Sequence, residues 1–446
     1  MKSPIKNFDS SFDTDALFEE LKHSDKKAFL ILGKPGVGKS YFLNEKLKKL
    51  WTPEEMILVG PTGTSAIHIN GKTINSFFNI SIHRKEGFIS PSNYEKIATA
   101  KVLVIDEISM CSYVLLNQVD SICKRIRHNY KEDFGGLILF GFGDTAQLPP
   151  VPNEDSELER YFQGYQLMFY KANVFKNPSS FSVYELTKVW RQKESSFLEL
   201  LNRIRDEKPT KEDILLINQN YNKHLTIDAD SITLTTTNRA ADHINKETLL
   251  SLGRTIYTSK TSFQDEEDED RFKLIEKEKI PEEISLSEDI PVIFYRNDTN
   301  NTEMQYSNGT LGRITKINTD GSNEILSIFV KVDDREIEVL KQGYPLEVKN
   351  PEDGEYVQVN TAYNFPLKPA WGLTVWKVQG LTIPGSIKIY LGRNVPPGLV
   401  YVAISRATKL SNITIEGRRI HLEHLKMRDD FKTYAKQHGW QIKIVK

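Results

Sequence analysis

The stretch Gly33-Lys-Pro-Gly-Val-Gly-Lys39-Ser40 decides the fold of this chain. It follows an apolar run at 28–32 and precedes a segment at 41–50 with the pattern of a helix. A strand, a glycine-rich turn and a helix in that order form a phosphate-binding loop, whose backbone N–H groups surround a polyphosphate. In such a loop Lys39 reaches the β and γ phosphate oxygens, and the Ser40 hydroxyl faces Mg²⁺. The sequence therefore predicts binding of a nucleoside triphosphate.

The composition is that of a globular chain with room for more than one domain. Of its 446 residues, 39% are apolar and 27% are charged, which allows two or three domains, each with a core. The N-terminus lacks the apolar region of a secretory signal, and no long uncharged apolar run follows. We therefore expect no membrane span and a cytoplasmic location, nucleoid-associated if the cell is prokaryotic. Cys111 and Cys123 have no Cys or His partner at metal-ligand spacing, which predicts neither a disulfide nor zinc.

The net charge of −1 does not indicate a nucleic-acid partner by itself, because phosphate binding usually shows as a basic excess. The charge is unevenly distributed, however. The six residues from Asp265 to Asp270 are all Asp or Glu, and an acidic run of this kind is typical of a solvated loop. The remaining surface is therefore more basic than the total suggests.

The apolar runs predict an α/β fold with two RecA-like lobes and parallel sheets, because short strands alternate with helical patterns. The first series lies at 28–32, 56–59, 102–105, 137–142 and 181–186, and the second at 232–235, 356–360, 387–391 and 413–416. Helical patterns accompany the second series at 241–252 and 399–407. Between 255 and 354, short runs separated by turns such as Asn308-Gly309 predict antiparallel hairpins that form a small β-barrel. We expect a first lobe at 1–180, with a small insertion at about 81–94, and a second lobe at 181–254 and 355–446, with the barrel inserted at 255–354.

Two carboxylates, Asp106 and Glu107, follow the apolar run at 102–105. Asp106 would hold Mg²⁺ through its water shell, and Glu107 would orient and deprotonate an attacking water. An acidic pair at such a place can also cap a helix. Its position one βα repeat after the phosphate loop favours the catalytic interpretation.

Further along the chain, one glutamine and two arginines are candidates for contact with a reacting phosphate. Gln147, in the turn that begins at Asp144, could hydrogen-bond the γ-phosphate oxygens or the attacking water. The alternative is a turn in which Asp144 caps the following segment. Arg191 and Arg406 could stabilise the charge on the transferring phosphoryl group, although arginines taken singly more often form surface ion pairs.

Read in order, seven segments resemble the motifs of superfamily-one helicases, and they are most similar to the RecD/Pif-type branch, whose members move 5′ to 3′ on single-stranded DNA. These segments are 33–40, 60–66, 106–110, 143–150, 186–192, 371–382 and 401–408. The resemblance covers residues 28 to about 417. It implies two RecA-like lobes with ATP between them, a DNA strand across both, an SH3-like barrel in the second lobe and a wedge in the first.

The same resemblance implies the residues that handle ATP and Mg²⁺. The loop residues Gly33, Pro35, Gly36, Val37 and Gly38 would bind phosphates together with Lys39, while Ser40 and Asp106 would hold Mg²⁺. Also at the ATP site would be Glu107, Gln147, Arg191, Gln379, Gly380 and Arg406, with both arginines supplied by the second lobe. Relatives usually carry a Gln before the loop to recognise adenine, yet the first Gln of this chain is Gln118.

The resemblance also implies contacts to the DNA strand, from Pro61, Thr62, Thr64 and Phe77 in the first lobe and from Thr236, Asn238, Thr374, Trp376 and Lys377 in the second. Hydroxyls, amides and cations of this kind bind phosphates without recognising bases. For Phe77, packing in the core is an equal alternative. Phe88 is the candidate tip of the wedge, the alternative being a residue that packs the insertion. Trp376 replaces a His of the family and offers a stacking surface instead of a polar contact.

These observations predict an ATP-dependent DNA helicase that moves 5′ to 3′ as a monomeric motor on single-stranded DNA and at duplex junctions, with no membrane partner. Two alternatives share the ATP site: a translocase stimulated by single strands that does not open duplexes, and a binding module gated by nucleotide. A P-loop kinase or metabolic ATPase is a more distant alternative, because the sequence shows no acceptor pocket.

Overall fold

The computed structural model describes residues 13–80, 89–150, 164, 166–188, 195–266, 271–278, 280–298, 300, 305–321, 323–349, 356–383, 385–392, 395–427 and 430–446. The chain divides into two compact units. The first unit comprises Met1–Gln219, Arg393–Ser411 and Ile420–Lys446, and the second comprises Asn220–Gly392 and Asn412–Arg419.

A parallel sheet of seven described strands forms the centre of the first unit. In spatial order the strands are Ile442–Val445, Phe181–Leu186, Ala28–Gly33, Ile138–Gly143, Val102–Ile105, Met56–Gly60 and Lys72–Thr73. Every neighbouring pair runs parallel. All residues of Ala28–Gly33 and Val102–Ile105 are buried, as expected where helices cover both faces of a parallel sheet.

Helices and short helical turns surround this sheet. The α-helices of the first unit are Thr14–Lys22, Lys39–Tyr41, Gly63–His68, Ile74–Phe78, Pro91–Thr99, Tyr113–Ile126, Ser195–Arg205, Lys211–Ile217, Leu399–Ile404 and Asp430–Gln437, counted over the described residues. A π-helical turn at Phe42–Lys46 and a 3₁₀ turn at Leu47–Lys49 continue the short helix that starts at Lys39. Cys111 and Cys123 are buried free thiols.

The second unit contains another parallel sheet and a group of antiparallel strands. The parallel sheet has the spatial order Gly372–Thr374, Ile232–Thr235, Ile387–Tyr390, Ile413–Glu416 and Tyr221–Asn222. The helix Asn238–Ser251 follows Ile232–Thr235. The two parallel sheets confirm the predicted α/β class, and they are consistent with a RecA-like lobe in each unit.

The antiparallel strands of the second unit form two sheets and a pair. The larger sheet has five strands in the order Arg335–Val339, Ile325–Val332, Leu311–Thr319, Pro291–Phe294 and Leu367–Pro369. The smaller sheet has three strands in the order Ser262–Phe263, Tyr356–Asn364 and Gln342–Lys349. The strand Glu283–Leu286 pairs with Tyr257–Lys260. The helix Arg271–Glu278 completes this region. The five-stranded sheet and the pair share a core that includes Phe294 stacked on Tyr306, with ring centres 3.9 Å apart. The three-stranded sheet and this helix have a separate core, which includes Phe263 and Leu346. The hairpins agree with the prediction, and closure into an SH3-like barrel stays a prediction.

The pairing of several strands differs from the expectation. The run at 356–360 is not part of the parallel sheet but begins the antiparallel strand Tyr356–Asn364. Phe181–Leu186 and Ile442–Val445 lie in the first sheet, so the first unit extends beyond the expected boundary at 180. A short apolar run predicts a strand but not its partner, because pairing is decided by distant segments.

In the part of the chain that the structure describes, no helix has the length and apolar character needed to cross a membrane.

Candidate functional site

The phosphate-binding loop of the first unit has the backbone that its glycines predict. Gly36 and Gly38 have φ angles of 84° and 89°, in the left-handed region that other residues rarely adopt. Lys39 begins a helix directly after Gly38, and the Phe42 N–H donates to the Gly38 carbonyl at 2.8 Å. The unpaired N–H groups at this helix start are available to an anion.

The Lys39 side chain lies back over this loop. Its Nζ donates to the Gly33 carbonyl at 2.6 Å and to the Lys34 carbonyl at 3.1 Å. Its charge also attracts both Asp106 and Glu107. The predicted phosphate lysine and the predicted carboxylates are therefore neighbours, although they are separated by more than sixty residues in sequence.

Asp106 and Glu107 follow the buried strand Val102–Ile105 at its carboxyl end. The Asp106 N–H donates to the Val59 carbonyl at 3.0 Å, which continues the pairing with the neighbouring strand. Desolvation raises the pKa of the Asp106 carboxyl, against the attraction of Lys39. Glu107 has a φ of 51°, a conformation that costs a non-glycine residue free energy and concentrates at functional sites.

Glu107 has the electrostatic properties of a general base that works near neutral pH. Desolvation, together with repulsion from Asp106 and Asp144, raises its pKa to about 7, while Lys39 and Arg406 oppose that rise. Its Oε2 atom is shielded from solvent and accepts no hydrogen bond from any described residue. A carboxylate with an unused oxygen and a pKa near 7 is suited to take a proton from water.

Asp144 holds the turn that contains Gln147. One Asp144 oxygen accepts the Ala146 N–H at 3.1 Å, and the Gln147 N–H donates to the Asp144 carbonyl at 3.2 Å. Asp144 is fully buried and Gln147 is 5% exposed. The same Asp144 oxygen accepts from Arg205 Nη2 at 3.0 Å. Asp144 therefore does act within the turn, as the alternative interpretation expected, while also repelling Glu107.

Arg406 is buried in the first unit, close to these carboxylates. It is 4% exposed, and its Nε donates to the Val402 carbonyl at 3.0 Å while Nη2 donates to Ser405 Oγ at 2.8 Å. Desolvation lowers its pKa, and Glu107, Tyr401 and Asp144 oppose that change. Arg406 was expected from the second lobe, but its segment, Arg393–Ser411, belongs to the first compact unit.

The structure thus brings together most of the predicted ATP-handling residues in one unit: Lys39, Asp106, Glu107, Gln147 and Arg406. Gln379 and Gly380 lie in the second unit, where Gln379 is buried and Gly380 has a φ of 84°. Arg191 and the proposed wedge tip Phe88 lie outside the described residues. Ser40 is exposed just after the loop lysine.

The strand-binding candidates of the first unit divide into polar and buried groups. Thr62 Oγ1 lies 3.0 Å from Thr64 Oγ1 and 2.9 Å from Ser65 Oγ, next to the half-buried Pro61. Phe77 is only 6% exposed and packs edge-on against Phe78, with ring centres 5.0 Å apart. Its position fits the core alternative better than a surface for stacking.

In the second unit the candidates cluster at the ends of neighbouring strands. Thr236 follows the strand Ile232–Thr235, and Asn238 begins the next helix. Thr374 ends the adjacent parallel strand, and its carbonyl accepts the Lys377 N–H at 3.0 Å. Trp376 is half-buried and Lys377 is exposed. The carboxyl ends of adjacent parallel strands are a common place for ligand contacts.

Comparison with known proteins agrees with this arrangement. The sequence model of the family described as PIF1-like helicase matches residues 12–213. The ATP-dependent DNA helicase Pif1 of Bdellovibrio bacteriovorus is 27% identical over 89% of this chain and 86% of its own length. The ATP-dependent DNA helicase RRM3 of Saccharomyces cerevisiae is 26% identical over 86% of this chain and 62% of its own length. A crystal structure of Pif1 helicase from Bacteroides in complex with ADP-AlF3 and ssDNA matches 96% of this chain and 97% of its own, with a TM-score of 0.77 and 27% identity.

The chain is similar to the PIF1-like helicases. The motif order and the described fold agree with this similarity, since the loop lysine and the Asp106–Glu107 pair lie within the matched range.

Sequence reasoning missed one charged residue at this candidate site. Arg205, the last residue of the helix Ser195–Arg205, is 8% exposed and also lies 3.6 Å from Glu185. A basic residue at a helix C-terminus is ordinary by sequence, because it suits the helix dipole. Only the folded chain shows that it neutralises the buried Asp144.

We expect Arg205→Met to destabilise the first unit strongly. Removal of one partner leaves Asp144 as an uncompensated buried charge, a change that costs roughly 3–5 kcal/mol. Thermal unfolding measures the loss, and Arg205→Met combined with Asp144→Asn should recover part of it. Arg125→Met, which removes an exposed arginine, is the control and should cost at most about 1 kcal/mol. Equal stability of the Arg205 and Arg125 variants would contradict the assigned role.

Proposed function

We propose that this protein is an ATP-dependent DNA helicase that moves 5′ to 3′ on single-stranded DNA and unwinds duplexes. The observation that carries the proposal is the grouping of Lys39, Asp106, Glu107 and Arg406 in the first unit, in a chain whose residues 12–213 match the PIF1-like helicases. The names of its relatives, ATP-dependent DNA helicases, support the same activity.

In the proposed reaction ATP is the substrate, and each residue has a separate role. Lys39 and the loop N–H groups bind the phosphates. Glu107 takes the proton of the attacking water, and Gln147 orients that water or the γ-phosphate oxygens. Arg406 stabilises the negative charge that develops on the transferring phosphoryl group. The proposal also gives Arg191 such a role, with Gln379 and Gly380 as further nucleotide contacts.

Mg²⁺ is part of the proposal, and the residues fit it. Ser40 offers an exposed hydroxyl, and Asp106 offers a carboxylate whose pKa is raised by desolvation, so that a bound cation would stabilise its charged form. Among the described residues, no group of three or more His, Cys, Asp or Glu side chains could hold a metal. That is usual for Mg²⁺, which keeps several waters and is bound by one or two protein groups plus substrate phosphates. When bound, it would neutralise phosphate charge during transfer.

The proposed DNA contacts use groups that bind phosphate rather than bases. Thr62, Thr64 and Pro61 in the first unit, and Thr236, Asn238, Thr374, Trp376 and Lys377 in the second, supply hydroxyls, amides, one ring and one cation. We propose single-stranded DNA and duplex junctions as partners and a monomeric motor as the working form. The proposed location of this motor is the cytoplasm, in association with the nucleoid if the cell is prokaryotic.

We expect Arg406→Ala to retain ATP binding but to lower kcat by about 10³–10⁵-fold, since cations in this role contribute rate rather than ground-state affinity. Because Arg406 also lowers the pKa of Glu107, the acid limb of the pH–rate profile should move to higher pH. Steady-state kinetics across pH, beside a binding assay with a fluorescent ATP analogue, measures both effects. An unchanged kcat would remove Arg406 from the catalytic group.

The proposal as a whole is tested by ATP hydrolysis with and without single-stranded DNA, beside unwinding of duplexes with a 5′ or a 3′ tail. We expect strong stimulation by the single strand and opening from the 5′ tail alone. Stimulation without unwinding would reveal a translocase instead. ATPase activity indifferent to nucleic acid would refute the helicase assignment and leave a nucleotide-gated module.

A further inference from the structure

The helix Ser195–Arg205 ends in a backbone motif that usually contains glycine. The Glu207 N–H donates to the Ile204 carbonyl at 3.0 Å. The Lys208 N–H donates to the Arg203 carbonyl at 2.8 Å, which completes a Schellman motif. Glu207 has a φ of 56°, a left-handed conformation that glycine adopts without strain and glutamate adopts at a cost in free energy. The Glu207 side chain is therefore expected to make a contact that offsets this cost.

The Glu207 side chain binds a distant segment of the first unit. Its Oε1 atom accepts the Met427 N–H at 3.2 Å. The neighbouring Lys426 carbonyl accepts the Gly398 N–H at 2.9 Å, and Gly398 is the N-cap of the helix Leu399–Ile404. Glu207 is thus linked through two hydrogen bonds to the start of that helix.

The helix Leu399–Ile404 determines where the Arg406 guanidinium lies. The Arg406 N–H donates to the Ala403 carbonyl at 3.2 Å, so its backbone continues from the helix. Its side chain binds the same segment, with Nε donating to the Val402 carbonyl and Nη2 donating to Ser405 Oγ. A displacement of the helix would therefore move the guanidinium with it.

The end of the helix Ser195–Arg205 also holds the turn at 144–147, which contains the candidate glutamine. The Nη2 atom of Arg205 lies 3.0 Å from the buried carboxylate that begins this turn. A Cβ atom placed on Gly398 would lie 3.8 Å from the Ala146 carbonyl oxygen, so the turn meets the start of the helix that Glu207 reaches. One helix end is therefore linked to both segments that the proposed function assigns to the reacting phosphate.

A third contact joins this helix end to the phosphate-binding loop. Asp206 pairs with Lys34 at a distance of 3.8 Å. Lys34 is the second residue of the loop, and its carbonyl accepts a hydrogen bond from Lys39 Nζ at 3.1 Å. Three consecutive residues, from Arg205 to Glu207, thus contact three separate parts of the proposed ATP site.

We propose that Glu207 is a positioning residue for ATP hydrolysis, which fixes the helix Leu399–Ile404 through Met427 and thereby the position of Arg406. The inference rests on the proposed function, because it assumes the role of Arg406 given there. Misplacement of a reacting group by about 1 Å can cost about 10²-fold in rate. Since Glu207 acts through a residue that contributes rate, its loss should lower kcat and leave the KM for ATP near wild type.

Glu207→Gly is the test, with hydrolysis of ATP in the presence of single-stranded DNA as the measurement. Glycine keeps the Schellman motif and removes the contact to Met427. We expect kcat to fall about 10-fold or more, with the KM for ATP within about twofold of wild type. Relief of the left-handed strain offsets the lost hydrogen bond, so the melting temperature should stay near wild type. Glu207→Gln should keep kcat near wild type, because its amide oxygen can accept the same N–H.

His128→Gly is the matched control. His128 has a φ of 51° and occupies the same position of a Schellman motif, at the end of the helix Tyr113–Ile126. Its N–H donates to the Arg125 carbonyl at 3.3 Å, and the Asn129 N–H donates to the Lys124 carbonyl at 3.1 Å. The His128 side chain is exposed. This variant therefore removes the same backbone strain and should leave kcat unchanged.

A double variant shows whether the effect passes through Arg406. Arg406→Lys keeps the charge but loses the planar fork, so it should itself lower kcat. Addition of Glu207→Gly should then cost less than it does in the wild type, because effects that share one residue are not additive.

Four results would overturn the inference: a wild-type kcat for Glu207→Gly, a Glu207→Gln protein as slow as Glu207→Gly, a loss of kcat that comes with a lower melting temperature, or full additivity with Arg406→Lys. An Arg406→Ala protein with unchanged kcat would instead refute the role of Arg406 in the proposed function.

Discussion

Replacement of Lys39 by alanine is expected to reduce ATP hydrolysis at least about 10²–10³-fold, the range found when one preorganised donor to a transition state is removed. Lys39 is the cation of the phosphate-binding loop, and its ammonium donates to two loop carbonyls beside Asp106 and Glu107. Without it, the phosphates would face two carboxylates with less positive charge to balance them. Unwinding should be lost together with hydrolysis. The measurement is steady-state phosphate release with saturating single-stranded DNA.

The control for this variant is Lys49→Ala. Lys49 is an exposed lysine in the same helical segment and pairs with Glu45 at 3.5 Å. Its loss should leave both activities near wild type, because exposed pairs of this kind contribute only about 0.3–0.5 kcal/mol. Thermal unfolding of both variants excludes a general loss of structure. A Lys39→Ala protein that still hydrolyses ATP would refute the assignment of the loop.

Replacement of Glu107 by glutamine is expected to lower kcat by about 10²–10⁴-fold, the usual contribution of a general base, while ATP binding persists. Glutamine keeps the shape of the side chain but cannot take the proton. It also removes a charge that desolvation and the repulsion of Asp106 and Asp144 make unfavourable, as the raised pKa shows. The variant should therefore be at least as stable as wild type, which separates a catalytic loss from unfolding.

The pH profile gives this prediction a second measurement. Because the base works in its deprotonated form and the pKa of Glu107 is about 7, kcat/KM of the wild type should rise with pH through that value. The Glu107→Gln profile should lack this limb. Glu95→Gln, which neutralises an exposed glutamate on the helix Pro91–Thr99, should keep it. A wild-type profile that is flat between pH 6 and 8 would contradict the role of Glu107.

The sequence predicted those parts of the site whose functional residues lie close together in sequence. The loop from Gly33 to Ser40 and the Asp106–Glu107 pair each combine a strand, a turn and a functional side chain within a short stretch. Such local patterns carry their own geometry, because parallel strands in one sheet bring their carboxyl ends to the same edge. The structure accordingly places Lys39 close to both carboxylates.

Features that depend on distant contacts could not be predicted in the same way. Arg205 gains its role from Asp144 and Glu185, which belong to other elements. The strand Tyr356–Asn364 pairs with Gln342–Lys349 in an antiparallel manner, although its apolar run resembles a parallel strand. Phe77 is buried by the fold of its neighbours rather than by its own motif.

The strand Ile442–Val445 has a consequence for how the protein is made. It pairs with Phe181–Leu186, and the Thr187 N–H donates to the Val445 carbonyl at 2.9 Å. All residues of the second unit lie between these two strands in sequence. A ribosome therefore releases the second unit before the last strand of the first sheet, whose edge at Phe181–Leu186 stays open until then. An open edge can pair with other chains, so the nascent protein is exposed to misassembly at this edge in the interval before Ile442–Val445 emerges.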